Sequence, residues 1–160
     1  MIRSLKKIRS GLLEFLTHRL ALPAIQRFRN NAPFNYSVEQ LMNFPDGTLG
    51  KDLALYLKKK NFKLLRNYER HDCKHLILGY EMDEVGEAGM QFYFLGNRHY
   101  SLPVLTTVLI CFFLMPEHWK QFYSDYKKGK GGKKFDDIDY NKIVHLNTMN
   151  LRGIYKNECK

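Results

Sequence analysis

The chain has 160 residues and a formal net charge of +10, from 26 Lys and Arg against 16 Asp and Glu. Hydrophobic residues make up 44% and aromatic residues 14%, which excludes a disordered chain and suffices for one domain with its own core. The three cysteines, Cys73, Cys111 and Cys159, have no paired spacing, so no disulfide framework or CxxC zinc site is indicated and a reducing compartment fits best. The positive charge suits an anionic partner, either a nucleic acid or a membrane surface.

Residues 1–29 form a basic amphipathic segment, in which apolar residues recur at helical spacing. Seven Lys and Arg residues stand against a single acid, Glu14. Three interpretations are open: the segment docks on the domain, lies on an anionic membrane, or is a mitochondrial presequence. A secretory signal is excluded, because no uninterrupted apolar core follows the charges.

The next part of the chain carries helix start and stop signals. Ser37, with Gln40 three residues later, predicts a capping box for a short helix through Phe44. Residues 45–50 predict a tight turn, followed by a helix to about Lys60.

Residues 102–115 are the most apolar stretch of the chain. A bilayer-spanning helix needs about 20 residues, so this stretch is too short to span one, and its apolar character on all sides predicts a buried central helix. Residues 127–134 predict a flexible basic loop. No run of alternating strands is evident, so the predicted fold is all-α, a single domain over 1–160 with six to eight helices around the central one.

The chemistry concentrates in His71-Asp72-Cys73-Lys74-His75 and in Glu87, twelve residues after the second histidine. Successive residues of an α-helix are about 100° apart, so His71 and His75 share one face and Asp72 lies on its adjoining edge. If the chain reverses near residues 79–82, Glu87 returns to the level of the histidines. Two imidazoles and two carboxylates form a ligand set suited to zinc or ferrous iron.

Other interpretations of the motif stay open from the residues alone. The His/Asp pair can simply hydrogen-bond on a helix. A metallohydrolase would resemble His-Glu-x-x-His, but aspartate is one methylene shorter than that glutamate base. A phosphohydrolase built on a His-Asp pair lacks clear further ligands, and nucleic-acid binding lacks a recognition motif.

The spacing His71-Asp72-x-x-His75, eleven residues, Glu87, together with the Gly-Thr-Leu-Gly turn at 47–50, resembles the signature of the Coq-four family of ubiquinone (coenzyme Q) biosynthesis proteins. The resemblance covers roughly residues 36–155, although Cys73-Lys74 replaces the apolar pair usual inside the motif. It implies an all-α, peripherally membrane-associated protein that binds zinc or another divalent metal through His71, Asp72, His75 and Glu87. It also implies a role in oxidative decarboxylation of the ring at C1, a groove for a polyprenyl tail, and association with other quinone-biosynthesis proteins.

These expectations combine into one functional hypothesis. The protein would bind a polyprenylated benzoate-like intermediate, with a zinc or iron ion on its carboxylate, Asp72 as candidate base and no nucleic-acid partner. It would act at an anionic membrane, on the cytoplasmic side of a bacterial inner membrane or the matrix side of the mitochondrial one. The alternative is a non-enzymatic prenyl-lipid-binding scaffold with a structural metal. The residues expected to line the path of the tail are Met90, Phe94, Leu95, Leu105 and Leu109.

Overall fold

The computed structural model describes residues 33–65, 68–135 and 138–156. Within these ranges the chain forms eight α-helices, one 3-10 helix and no strand beyond an isolated bridge, which confirms the all-α prediction. The helices are α1 (Val38–Met42), α2 (Leu49–Lys60), α3 (Glu69–Leu78), α4 (Glu84–Gly96), α5 (Leu102–Leu114), the 3-10 helix Pro116–His118, α6 (Trp119–Gly131), α7 (Tyr140–Ile143) and α8 (Thr148–Lys156). The basic segment 1–29 lies outside the described residues.

The chain divides into two compact units. Residues 82–130 belong to unit one, which contains α4, α5 and nearly all of α6; residues 31–81 and 131–160 make up unit two, which contains α1, α2, α3, α7 and α8. The expectation of a single domain stays a prediction.

In unit two, the predicted capping box is confirmed. The backbone amide of Gln40 donates to the Ser37 hydroxyl, and that of Ser37 donates to the Gln40 side chain at 2.8 Å. Helix α1 ends at Met42, two residues before the predicted end. Helix α2 ends at Lys60 as predicted, where Asn61 adopts the left-handed conformation.

The start of α2 is held by the segment that leads into α8. The amides of Leu49 and Gly50 donate to the carbonyls of Leu146 and Val144, both at 2.9 Å. The first amides of a helix have no partner within the helix, so these contacts satisfy donors that would otherwise be left unpaired. They also bring two parts of the chain together that lie about one hundred residues apart in sequence.

In unit one, α4 begins after Asp83, whose side chain accepts from the Gly86 amide at 2.8 Å. An apolar cluster lies among α4, α5 and α6, and in it the rings of Phe92 and Phe122 stack with centroids 4.6 Å apart. The buried members of this cluster are Ala88, Phe92, Cys111, Met115 and Phe122.

Helix α5 has the predicted bounds, but the prediction that it is a buried central helix is wrong. Only Val104 and Cys111 of the helix are buried, whereas Leu102, Leu109 and Phe113 are 75%, 60% and 68% exposed. A helix that is apolar on every side carries no pattern that distinguishes a covered face from an open one. The apolar composition of residues 102–115 therefore predicts a helix but does not determine which of its faces are buried.

Among the described residues, no single helix is long and apolar enough to cross a membrane. One bent pair, Leu102–Leu114 with Pro116–Gly131, meets the length and composition criteria together, with a bend of 101° between its two parts.

The predicted basic loop at 127–134 is also corrected, because α6 continues to Gly131. Lysine is a good helix former, and Gly129 serves close packing rather than flexibility. A Cβ atom at Gly129 would lie 2.0 Å from the carbonyl oxygen of Tyr93, so glycine is required where α6 meets α4.

Candidate metal centre

Helix α3 presents His71 and His75 on one face, as their spacing predicts. Their ring centroids are 4.7 Å apart, and the two Nε2 atoms approach to 3.0 Å. His75 is fully buried, whereas His71 is half-buried. The pair therefore has one imidazole fixed in the interior and one closer to the surface.

The backbone fixes the tautomer of His75. Its Nδ1 atom lies 3.2 Å from the carbonyl oxygen of Tyr80. A carbonyl oxygen can only accept, so Nδ1 carries the proton and Nε2 of the neutral ring is an acceptor. With no metal bound, the Nε2–H of His71 donates to that atom. A metal ion at this pair would be held by the Nε2 atoms of both rings.

The distance between the two nitrogens fits a shared metal ion. Zinc–nitrogen bonds of about 2.0–2.1 Å place two ligand nitrogens about 3.3 Å apart at a tetrahedral angle and about 2.9 Å apart at a right angle. The observed 3.0 Å lies between these values. Histidine ligands in metal sites commonly donate their second N–H to a carbonyl or a carboxylate, as His75 does to Tyr80.

Tyr68 completes one side of the histidine pair. Its ring lies over the ring of His71, with centroids 4.4 Å apart and planes inclined by 33°. The amide of His71 also donates to the Tyr68 carbonyl at 2.9 Å. Tyr68 thus limits the orientations that the His71 ring can adopt.

Asp72 and Cys73 are both buried in α3. Burial raises the pKa of the Cys73 thiol, and the neighbouring carboxylates of Asp72 and Glu69 raise that pKa further. Burial and these charges therefore favour the protonated thiol over the thiolate.

Glu87 lies in the first turn of α4, in unit one, and is half-buried. Asp83 caps this turn: its carboxylate accepts from the Gly86 amide, and its main-chain carbonyl accepts from the Glu87 amide at 2.8 Å. The helix start therefore fixes the Glu87 backbone. The role of Glu87 as a metal ligand stays a prediction, as does that of Asp72.

The residues expected to line a prenyl path fall into two settings within unit one. Met90 and Phe94 are buried in α4, and Leu95 is half-buried. Leu105 and Leu109 lie on the exposed side of α5. Of the five residues expected to line the path, only Leu105 and Leu109 thus offer exposed apolar surface to a ligand.

Three contributors to the site were missed in the sequence. Tyr68 precedes His71 by three residues, a helical spacing that predicts contact. The Tyr80 carbonyl follows Gly79, and that glycine was a visible helix-stop signal. The third is Arg152, whose Nη2 donates to the Leu76 carbonyl at 2.8 Å; no local signal links it to α3, because 76 residues separate the two.

No protein-family model matches the chain, and no curated protein matches it. A solved structure with a similar fold is the 2.85 Å crystal structure of a candidate ubiquinone biosynthesis protein from Nostoc punctiforme PCC 73102. The match covers 96% of this chain and 82% of that chain, with a TM-score of 0.60 and 20% sequence identity. What the two share is the fold. At this identity, the similarity supports a common helical architecture only. The chemistry of the site has to be argued from the residues of this chain.

Proposed function

We propose that the protein is a metal-dependent component of quinone biosynthesis that binds a polyprenylated benzoate-like intermediate. The observation that carries the proposal is the His71–His75 pair, whose Nε2 atoms converge to 3.0 Å while the Tyr80 carbonyl keeps the His75 lone pair directed at its partner. The motif's resemblance to the Coq-four family supports the pathway. The description of the Nostoc protein with the similar fold supports the same pathway.

The proposed ligands are His71 and His75, together with Glu87, which the resemblance of the motif implies. Asp72 either completes the set or orients bound water as a base. Two nitrogens and one carboxylate suit zinc or ferrous iron. Zinc would fit a decarboxylation without redox change, whereas iron would fit an oxidative one.

The intermediate has a carboxylate head and an apolar tail, and the chain offers a partner for each. A divalent ion bound at this site would act as a Lewis acid toward the carboxylate. His71 and His75 would hold that ion, and Tyr68 would limit the movement of the His71 ring. We place the tail along Leu105 and Leu109 of α5, since the other expected lining residues are largely packed in the interior of unit one.

We further propose that unit one contacts an anionic membrane through α5 and the adjoining start of α6. Leu109 and Phe113 of α5 are exposed, as is Trp119 at the start of α6. Exposed lysines follow in α6, including Lys120 and Lys127. Apolar side chains can enter the lipid while basic side chains contact phosphates, each basic residue contributing about 1 kcal/mol near the surface. Residence at an inner membrane would bring the protein to its prenylated ligand.

The test is elemental analysis of the purified, untagged protein beside His71→Ala, His75→Ala and Glu87→Ala, with extracted lipids analysed in the same samples. We expect near-stoichiometric zinc or iron in the wild type and its loss in all three variants. His118→Ala is the matched control, because His118 lies in a 3-10 helix outside the proposed ligand set. Metal retained in His75→Ala, or absent from the wild type after reconstitution, would refute the proposal.

A second candidate function is a non-enzymatic scaffold that binds a prenyl lipid and uses its metal only for structure. The observation that favours it is the open apolar side of α5, which suits a lipid or a partner protein regardless of any reaction. The two functions differ in turnover. A metal-loaded protein that binds a prenylated 4-hydroxybenzoate analogue without consuming it, with or without oxygen, would favour the scaffold.

A further inference from the structure

The end of α3 is closed by a turn at Gly79, which adopts a left-handed conformation with φ 67° and ψ 33°. The amide of Gly79 donates to the Leu76 carbonyl at 3.3 Å, and the amide of Tyr80 donates to the His75 carbonyl at 3.0 Å. This pair of bonds is the Schellman arrangement, which glycine favours because it has no Cβ. The helix therefore ends at Leu78, three residues after His75.

Through this turn, Tyr80 contacts His75 with both of its backbone polar groups. Its N–H bonds to the His75 main chain, and its carbonyl accepts from the His75 imidazole. The direction of the carbonyl is set by the Gly79–Tyr80 turn. The His75 tautomer thus depends on the conformation of the turn as well as on the contact between the Nε2 atoms of His75 and His71.

Arg152, from α8, holds the turn from outside. Its Nη2 donates to the Leu76 carbonyl at 2.8 Å, the same carbonyl that accepts from the Gly79 amide. Its guanidinium also lies against Gly79: a Cβ atom there would be 3.1 Å from the Arg152 Cζ. A cation at the end of a helix is favourably placed against the unpaired carbonyls and the negative end of the helix dipole.

From these contacts we propose that Arg152 is a positioning residue for the metal centre. It holds the Gly79–Tyr80 turn so that the Tyr80 carbonyl keeps the proton on Nδ1 of His75 and leaves Nε2 as the ligand. This inference rests on the proposed function for its metal, but the tautomer it predicts belongs to the metal-free protein as well. Partners that orient metal-bound histidines commonly contribute about 10- to 100-fold in metal affinity.

The test compares wild type, Arg152→Met and the control Lys142→Met, all shown to be folded by circular dichroism. Met keeps much of the length of the arginine side chain but cannot donate to Leu76. Lys142→Met removes one positive charge, as Arg152→Met does. Lys142 lies in the same unit and its side chain is highly exposed. The first readout is the histidine tautomer of the metal-free protein from long-range ¹H–¹⁵N spectra above about pH 8, where an unperturbed histidine is neutral. The His75 signals are assigned from their loss in His75→Ala.

We expect His75 to carry its proton on Nδ1 in wild type and in Lys142→Met, and to populate both tautomers in Arg152→Met. The second readout is zinc affinity by competition with a chelator, which we expect to fall about tenfold or more in Arg152→Met alone. An unchanged tautomer and affinity in Arg152→Met would overturn the positioning role. A wild type that binds no metal would refute the proposed function instead, and the tautomer comparison would still decide the role of Arg152 in orienting His75.

Discussion

Gly96 and Gly129 mark a point where two helices of unit one meet backbone to backbone. A Cβ atom at Gly96 would lie 2.0 Å from the carbonyl oxygen of Tyr126, and one at Gly129 would lie 2.0 Å from that of Tyr93. The contact is reciprocal, since each glycine faces a main-chain carbonyl three residues before the other glycine. Asn97 adds a bond from its side-chain amide to the Gly129 carbonyl at 3.1 Å. Helices α4 and α6 therefore require glycine at both positions.

The first prediction follows from this contact. Gly129→Ala should lower the free energy of unfolding by about 3 kcal/mol or more, because backbone atoms must move to admit the methyl group and overpacking already costs about 1–3 kcal/mol. This loss should exceed the gain of about 1 kcal/mol that alanine brings to a helix interior. Urea denaturation measures the change in the free energy of unfolding. Lys120→Ala, on the exposed side of α6, is the control and should change stability little.

The second prediction concerns Asp52 of α2 and Thr148 at the start of α8. The Thr148 hydroxyl donates to the Asp52 carboxylate at 2.6 Å, and Thr148 is buried. Hydrogen bonds to charged groups contribute about 1.5–3 kcal/mol. A double-mutant cycle with Asp52→Ala and Thr148→Val should give a coupling energy of at least about 1 kcal/mol. Additive effects of the two substitutions would mean that the contact does not stabilise the fold.

The third prediction concerns the pH dependence of stability. Burial raises the pKa of Tyr93 from 10.0 to about 12, so the folded protein keeps this phenol protonated while the unfolded chain ionises it. Stability from this residue is fully present below about pH 10 and is lost as pH rises toward 12, by on the order of 2–3 kcal/mol. Denaturation series between about pH 9 and 11 should show a steeper decline in wild type than in Tyr93→Phe. If the stability of wild type and of Tyr93→Phe declined equally with pH, the predicted contribution of Tyr93 would be contradicted.

The fourth prediction tests the proposed membrane surface. Leu109→Glu and Phe113→Glu should each reduce binding to vesicles with anionic lipid at least about tenfold, because each removes an exposed apolar group worth about 1.5–3 kcal/mol when buried and adds a repelled charge. Cosedimentation measures the bound fraction. Met149→Glu, at a residue of unit two that is 64% exposed, is the matched control. Equal loss in all three variants would indicate that net charge alone decides binding.

Local signals correctly predicted the start of α1 and the end of α2, because these helix boundaries depend on residues close in sequence. The capping box at Ser37 and the end of α2 at Lys60 lie where the sequence predicts them. The burial of α5 and the flexible loop at 127–134 were mispredicted, since both depend on packing against other helices. Gly129 illustrates this: in sequence it resembles part of a flexible loop, and only its contact with Tyr93 explains it.

For the site, the sequence by itself determined that His71 and His75 share a helix face, because a spacing of four residues in a helix allows no other arrangement. It also provided Gly79 to end that helix. Only the tertiary structure decided which nitrogen of His75 is available, because the Tyr80 carbonyl reaches Nδ1 through a folded turn. The same holds for Arg152, which reaches Leu76 from 76 residues away. Sequence spacing determines which side chains can come together. Hydrogen-bond partners that folding brings into contact then determine which of their atoms can act as ligands.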